Sequence, residues 1–494
     1  MDLRDNKRLW GIGEVLSVSW PASLSMLNAT LMRFVEGLMI SYIGPQPFAA
    51  QMIGSMAAFV PESFATGLLS VVNTYVSQNF GAGRNELCGR YTWAGLIVAL
   101  AFCFCVVPLA LFAKPIFALC GQPAELIDLE AMYFQFMVAA IFLTLTSRPF
   151  EQFFYGVRRQ RVVLLASVCS NVVNLVLGYI LIFGRSGLIV LQRRDWLAPV
   201  GSALSSLSIF DFDGMGLFGA ALATVISWGV QFLILLGIFL GSRLNQAFAT
   251  RQIARVRFAH CYHLLRVGTP AGLQFISDML PWSVMLLAII GPLGTLHVAA
   301  SSVAMRWMPL SFMPAVGIGI ATTALVGRYI GQGRNDLARR RTHAAMLLAL
   351  AYMGACGLAF FFLREQMARL FVTVLPSADI TPQQAAEMGG QIVAIGGNIL
   401  ICAAVFQLFD ALGIVFIGAL RGAGDTFVPM LATISLSLSL LIGGGYATVR
   451  LLTQLASIGP WMAASLYVMV LGTWMIRRFE SGKWQRINLL SSGT

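Results

Sequence analysis

Five acids lie deep inside apolar runs of this sequence: Glu36, Glu62, Glu151, Asp278 and Asp410. An ionisable group in the middle of a membrane costs roughly 2.5–3.5 kcal/mol even on a mild insertion scale, so such residues are functional candidates by default. Their neighbours divide them. Glu36, in Leu31-Met-Arg-Phe-Val-Glu-Gly-Leu38, has Arg33 three residues back on the same helix face, and reads either as an internal ion pair or as a cation-responsive carboxylate. Glu151 has the same spacing to Arg148, and there a structural pair is the expectation. Glu62 follows Pro61 with no basic partner in sequence, and both readings stay open. Asp278, in Gln274-Phe-Ile-Ser-Asp278, and Asp410, in Val405-Phe-Gln-Leu-Phe-Asp410, have no basic residue near them in sequence. A carboxylate with no arginine in reach can be protonated, bind a cation or face water. Each is what a proton- or sodium-coupled carrier needs, and two such groups facing one cavity could share a proton. Gln407, in the turn before Asp410, joins the candidate cavity residues.

A softer signal is the stripe Ser167, Ser170, Asn171, Asn174 and Gly178, which recurs at helical spacing. It fits interhelical hydrogen bonding and equally a cavity wall offering neutral oxygen ligands to a hard cation such as sodium. The eight cysteines form no Cys-x-x-Cys and mostly lie in apolar runs, so neither a disulfide framework nor a metal site is expected. The four histidines have no metal spacing with a partner acid, and there is no phosphate loop of the nucleotide-binding kind.

These acids need helices to hold them in lipid. Apolar residues make up 58% of the 494 positions and charged ones 11%, against about a quarter charged in soluble domains, so lipid must be the main solvent. Twelve stretches are long and apolar enough to span: 15–43, 49–78, 91–113, 131–155, 162–184, 216–240, 268–290, 298–327, 344–363, 391–418, 427–449 and 459–476. Pro21, Pro61, Pro270, Pro281, Pro309 and Pro314 are the expected kink points. The first stretch is too long for a signal-peptide core and is expected to be retained. With the N-terminus cytoplasmic, 23 of the 33 Lys and Arg fall in cytoplasmic segments, 7 outside, and Arg33, Arg148 and Arg306 within spans. The basic balance is therefore topology, and nucleic acid is not an expected partner. Both termini are expected in the cytoplasm of a cell that carries the protein in its plasma (inner) membrane.

The chain also repeats itself. Phe80-Gly-Ala-Gly-Arg-Asn-Glu-Leu87 matches Ile330-Gly-Gln-Gly-Arg-Asn-Asp-Leu337, Pro61-Glu-Ser-Phe64 matches Pro309-Leu-Ser-Phe312, and Trp20-Pro-Ala-Ser-Leu24 matches Thr269-Pro-Ala-Gly-Leu273. A steady offset across two loops implies a duplication of six helices: an N-terminal lobe over 1–240, a basic cytoplasmic linker over 241–267 and a C-terminal lobe over 268–494. Halves with an even number of spans are parallel repeats about an axis along the membrane normal. An outer segment, 185–213, has no counterpart. The loops repeat but the acids do not: by the offset near Gly156 and Gly418, Asp410 has Arg148 as its counterpart. Ion coupling is therefore expected in the C-terminal half.

Three patches resemble the multidrug and toxic-compound extrusion (MATE) transporters, in particular their bacterial multidrug branch. They are Ala411-Leu-Gly-Ile-Val-Phe-Ile-Gly-Ala-Leu-Arg-Gly-Ala-Gly-Asp-Thr426 with Pro429, the paired Gly-x-Gly-Arg-Asn loops, and Gly214-Met-Gly-Leu-Phe-Gly-Ala-Ala-Leu-Ala-Thr224. The resemblance implies an all-α, V-shaped pair of six-helix bundles that exports organic cations or amphipathic compounds in exchange for sodium or protons. By position it implies that Glu36, Asp278 and Asp410 are the family's coupling acids, with Glu36 and Asp278 each differing by one methylene. Another branch of the family carries an acid where this chain has Gly178, so a sodium site of that kind is not expected in the N-terminal lobe. No cofactor is expected beyond the coupling ion, and no tightly bound metal, although Asp278 and Asp410 could hold a transient sodium. The expected partners are small organic substrates and the bilayer, with the protein a monomer. The rival readings are a lipid-linked precursor flippase of the same superfamily and a membrane-embedded transferase enzyme. The first needs a basic cavity; the second needs a clustered His or Cys with an acid at depth.

Overall fold

The computed structural model describes residues 11–119, 124–192, 213–370 and 382–489. Most of the 185–213 segment thus lies outside the described residues. The described chain is helical. Its long helices are α1 (Ile12–Ser41), α2 (Ala50–Gly81), α3 (Asn85–Leu111), α4 (Glu125–Gly156), α5 (Gln160–Arg185), α6 (Gly216–Phe239), α7 (Phe258–Leu293), α8 (Thr295–Gly331), α9 (Asn335–Phe362), α10 (Ala386–Ala423), α11 (Phe427–Leu451) and α12 (Ile458–Glu480). Eleven of these, α2 to α12, are long and apolar enough to cross a membrane by composition alone. α1 is the more polar one, with Ser17, Ser19, Ser23, Ser25, Asn28, Thr30, Arg33 and Glu36 along it. It packs against both α5 and α8, so much of that polarity is turned toward protein instead of lipid.

α7 starts at Phe258, ten residues before the apolar run that marks it in the sequence. Its first turns carry His260, His263 and Arg266, as expected for a helix that continues out of the hydrocarbon into the headgroup layer. The prolines stay inside continuous helices. Pro314 has no N–H to give the Leu310 carbonyl, and the Tyr352 hydroxyl donates to that carbonyl instead at 3.1 Å. Beyond Pro281, α7 loosens into a π-helical stretch, Met285–Ile290, and α11 has another at Ser437–Gly443.

The duplication appears as paired contacts between the halves. Gly81 of α2 lies on the Arg328 carbonyl of α8, and Gly331 of α8 lies on the Gln78 carbonyl of α2; neither leaves room for a Cβ. Gly67 meets Gly272 of α7 in the same way that Gly317 meets Ser23 of α1. The inter-half hydrogen bonds lie on the same side: Ser23 to the Pro314 carbonyl, Thr74 to Arg421, Gln78 to Gly422 and Tyr75 to His263. All of these sit on the parts of the helices nearest the N-terminus. The halves therefore join at that end and part toward the other, which is the V shape.

At that joined face a Glu14 carboxylate of α1 ties the halves ionically. It meets Arg158 at 3.0 Å within its own half, and Arg341 at 2.6 Å and the Tyr329 hydroxyl at 2.8 Å from the other. Burial by itself would push the Glu14 carboxyl up, but Tyr329, Arg341 and Arg158 outweigh it and hold it below the usual carboxylate value.

Four span ends on this face close with the same pair of backbone bonds, in which one residue takes a left-handed conformation. Gly83, Gly333 and Gly424 fill that position in three of them; Arg158, with φ of 62°, fills it in the fourth. A side chain there costs about 1 kcal/mol or more. These turns also fix the internal register. Gly156-Val-Arg158 pairs with Gly422-Ala-Gly424 and not with Gly418, so the counterpart of Asp410 is Thr144 rather than Arg148.

Candidate functional site

In the N-terminal half, Glu36 is placed by α1 between α4 and α6. Its Oε1 accepts from the Tyr133 hydroxyl at 3.2 Å and from Thr224 Oγ1 at 3.0 Å. Asn174 of α5 extends the group, its Nδ2 lying 3.3 Å from Thr224 Oγ1 and 3.1 Å from Ser227 Oγ. Of the two readings open for Glu36, the ion pair with Arg33 does not form. Arg33 stays exposed, while the Glu36 carboxylate turns to two hydroxyl donors on neighbouring helices, which satisfy it without immobilising a long side chain.

The polar stripe of α5 is largely spent on its neighbours. Asn171 donates to the Asn28 carbonyl at 3.0 Å, Asn28 to Ser167 at 3.0 Å, and Ser170 to the Ser227 carbonyl at 2.7 Å. Only Asn174 reaches the acid's network. Gly178 borders it, since a Cβ there would stand 3.8 Å from Asn174 Oδ1.

Arg148 and Glu151 do pair, Nη1 to Oε2 at 2.9 Å, and Gln231 of α6 donates to the other Glu151 oxygen at 2.7 Å. Glu62 of α2 lies within electrostatic range of Arg148 without bonding it. One cation therefore stands among two carboxylates in this half. Arg148 Nε is buried without an acceptor.

In the C-terminal half, three helices bring their groups together. Tyr467 of α12 donates to Asp278 Oδ1 of α7 at a long 3.4 Å. Asp410 of α10 stands close enough to feel the charge of Asp278, and its own charge acts on Tyr467. Among the described residues no protein donor reaches Asp410. The sequence shows Asp278 without a basic neighbour, but the fold supplies one: the Arg421 charge of α10 acts on it across the bundle. Arg421 Nε is itself buried without an acceptor. Gln407 turns away from the acids. It is 1% exposed and donates to Ser311 of α8 at 2.8 Å, leaving its Oε1 buried and unsatisfied.

Tyr133, Thr224, Ser227, Gln231, Tyr467 and Arg421 are the site residues that sequence reasoning missed. None is marked as a partner by its place along its own helix, and only crossing helices bring it to an acid or to the network around one. Among the described residues there is no group of three or more His, Cys, Asp or Glu that could hold a metal ion. Outside this network, the seven described cysteines are all unpaired.

Comparison with known proteins bears on the fold and the family. The MatE family model matches residues 21–180 and 270–446, more than half of the chain and both of its halves. Relatives include the probable multidrug resistance protein NorM of Rhizobium meliloti (strain 1021), 27% identical over 404 residues that make up 80% of this chain and 77% of that protein. Another is the multidrug resistance protein PmpM of Pseudomonas aeruginosa, 27% identical over 431 residues, 85% of this chain and 80% of that one. Among solved structures, the eukaryotic MATE transporter AtDTX14 superposes with a TM-score of 0.79 at 18% identity, covering 98% of this chain and 97% of its own. A multidrug resistance MATE family transporter in an outward-facing conformation gives 0.79 at 21% identity, covering 95% and 96%. The protein is a multi-pass membrane protein of two related six-helix halves, and it belongs to the MatE family.

Proposed function

We propose that the protein is a secondary active antiporter, exporting organic cations or amphipathic drugs in exchange for protons or sodium by alternating access. The observation that carries this reading is the cluster of Asp278, Asp410 and Tyr467. It places two carboxylates from different helices near one another, with a single long hydrogen bond to them among the described residues. Carboxylates so sparsely satisfied at membrane depth are ready to exchange a proton, a sodium ion or a cationic substrate.

The join of the halves at one end supports rocking about that end. The names of the NorM and PmpM relatives support the substrate class. The 23 to 7 division of Lys and Arg supports cytoplasmic termini in the plasma (inner) membrane. We read the protein as a carrier acting as a monomer on small organic substrates, with no cofactor beyond the coupling ion, and not as an enzyme. The lipid-linked precursor reading, which would draw on Arg33, Arg148 and Arg306, is the weaker one: Arg148 is already held by Glu151.

The test is efflux of a cationic dye from proteoliposomes, with sodium and proton gradients imposed separately. One gradient is expected to drive efflux and the other not. Efflux indifferent to both gradients would refute the antiporter.

A further inference from the structure

A cavity of about 420 Å³ opens on the joined face between the start of α1 and the α4–α5 turn. Its wall includes Ser17 and Pro21 of α1 and, from the turn, Arg158, Arg159, Gln160 and Arg161. Among the described residues only Arg158 has a carboxylate partner, Glu14 at 3.0 Å. Arg159 and Arg161 are exposed and make no ion pair among the described residues. The guanidinium of Arg161 lies 5.8 Å over the Trp20 ring. α5 begins at Gln160, inside this wall, so the positive end of its dipole adds to the three guanidiniums. The chain also holds Arg158 in a left-handed conformation where the three equivalent turns place glycine. An arginine kept at a strained position inside a basic cavity is an outlier that calls for a function.

We propose that this cavity binds the phosphate headgroup of an anionic phospholipid from the leaflet on the N-terminal side. Charge complementarity names the headgroup, since guanidinium pairs grip phosphate oxygens bidentately. The surface next to the cavity names a lipid as its carrier. α1 and α5 pack side by side and both run away from the cavity into the membrane. Leu16, Trp20 and Leu24 of α1 and Leu165 and Val168 of α5 are exposed along them, a surface for acyl chains directly beyond the headgroup. Basic pockets between spans at the membrane surface hold anionic lipids by this combination. The headgroup and Glu14 share Arg158, so the lipid sits beside the ionic contact that joins the halves.

The test is native mass spectrometry of the full-length protein released from detergent micelles. The micelles contain phosphatidylglycerol, phosphatidylcholine with the same chains, or inorganic phosphate. The protein is expected to retain phosphatidylglycerol in preference to phosphatidylcholine. Arg159→Ala with Arg161→Ala should lower that retention roughly 10- to 30-fold, and Arg158→Gly should lower it severalfold. Arg158→Gly installs the residue its backbone conformation favours, so its thermal midpoint should not fall. Arg255→Ala with Arg257→Ala, exposed outside the cavity, should bind as the unaltered protein does. Equal retention by the Arg159 and Arg161 variant, or an equal loss in the Arg255 and Arg257 variant, overturns the site. Inorganic phosphate displacing phosphatidylglycerol completely would assign the cavity to a soluble phosphate and overturn the lipid.

Discussion

Within a shared scaffold, Glu36 and Glu151 of one half and Asp278 and Asp410 of the other are treated in opposite ways. In the N-terminal half, Glu36 accepts from two hydroxyls and Glu151 is bonded by both Arg148 and Gln231. In the C-terminal half, Asp278 has one donor at 3.4 Å and Asp410 has none among the described residues. Satisfying a buried carboxylate stabilises the fold but makes its charge state harder to change; leaving it bare does the reverse. The difference teaches that a duplicated bundle can use some acids as anchors and leave others bare for exchange; the rule is by residue and not by half, since Glu130 of α4 also has both carboxylate oxygens buried without a donor among the described residues. The same division appears where the halves meet. Glu14 and Arg341 form an ion pair there, while the equivalent positions of the other half, His263 and Tyr91, share only a 3.4 Å hydrogen bond.

The sharpest break of this comparison is in stability. Arg148→Ala leaves Glu151 buried without its cation and is expected to lower unfolding stability in detergent by roughly 3–5 kcal/mol. Asp410→Asn should leave stability nearly unchanged. Equal losses would erase the distinction between anchoring and exchanging acids.

Transport gives the next largest effect. Asp410→Asn should reduce ion-driven efflux in vesicles on the order of 100-fold, equivalent to about 2.7 kcal/mol, and Glu36→Gln by less than about tenfold. Undiminished coupling in the Asp410 variant removes it from the mechanism, and a larger effect at Glu36 moves the exchange site to the N-terminal half.

A smaller effect is expected at Thr224, which bridges Glu36 and Asn174. Thr224→Val keeps its shape, removes both bonds and should cost about 1–3 kcal/mol by denaturant titration.

The smallest effect concerns the join. The Glu14 carboxyl is held below its ordinary value of 4.5 in the folded protein. Its stabilisation is therefore fully present above that ordinary value and is lost as pH falls through the lower, folded one. Thermal midpoints followed downward from neutral pH should drop less steeply in Glu14→Gln than in the unaltered protein once the pH passes below that range. Parallel curves would show that Glu14 does not tie the halves.

Much of this was legible in the residues. Apolar run length marks the spans because lipid admits only internally bonded helices. The repeated Gly-x-Gly-Arg-Asn loops show the duplication, since the second glycine of each fills a left-handed turn on the same face. The acids stand out because charge is rare in lipid. Arg148 and Glu151 lie on one helix three residues apart, so their pairing needed no knowledge of other helices. The same spacing failed for Arg33 and Glu36, because the outcome depended on Tyr133 and Thr224 arriving from α4 and α6. Tyr467 and Arg421 became partners of Asp278 for the same reason, and Gln407 turned from the acids to Ser311. The sequence alone thus determined which residues sit in the membrane and on what period. Only the tertiary structure decided which polar groups meet there, because a buried carboxylate is satisfied across helices, by donors whose distance along the chain carries no signal.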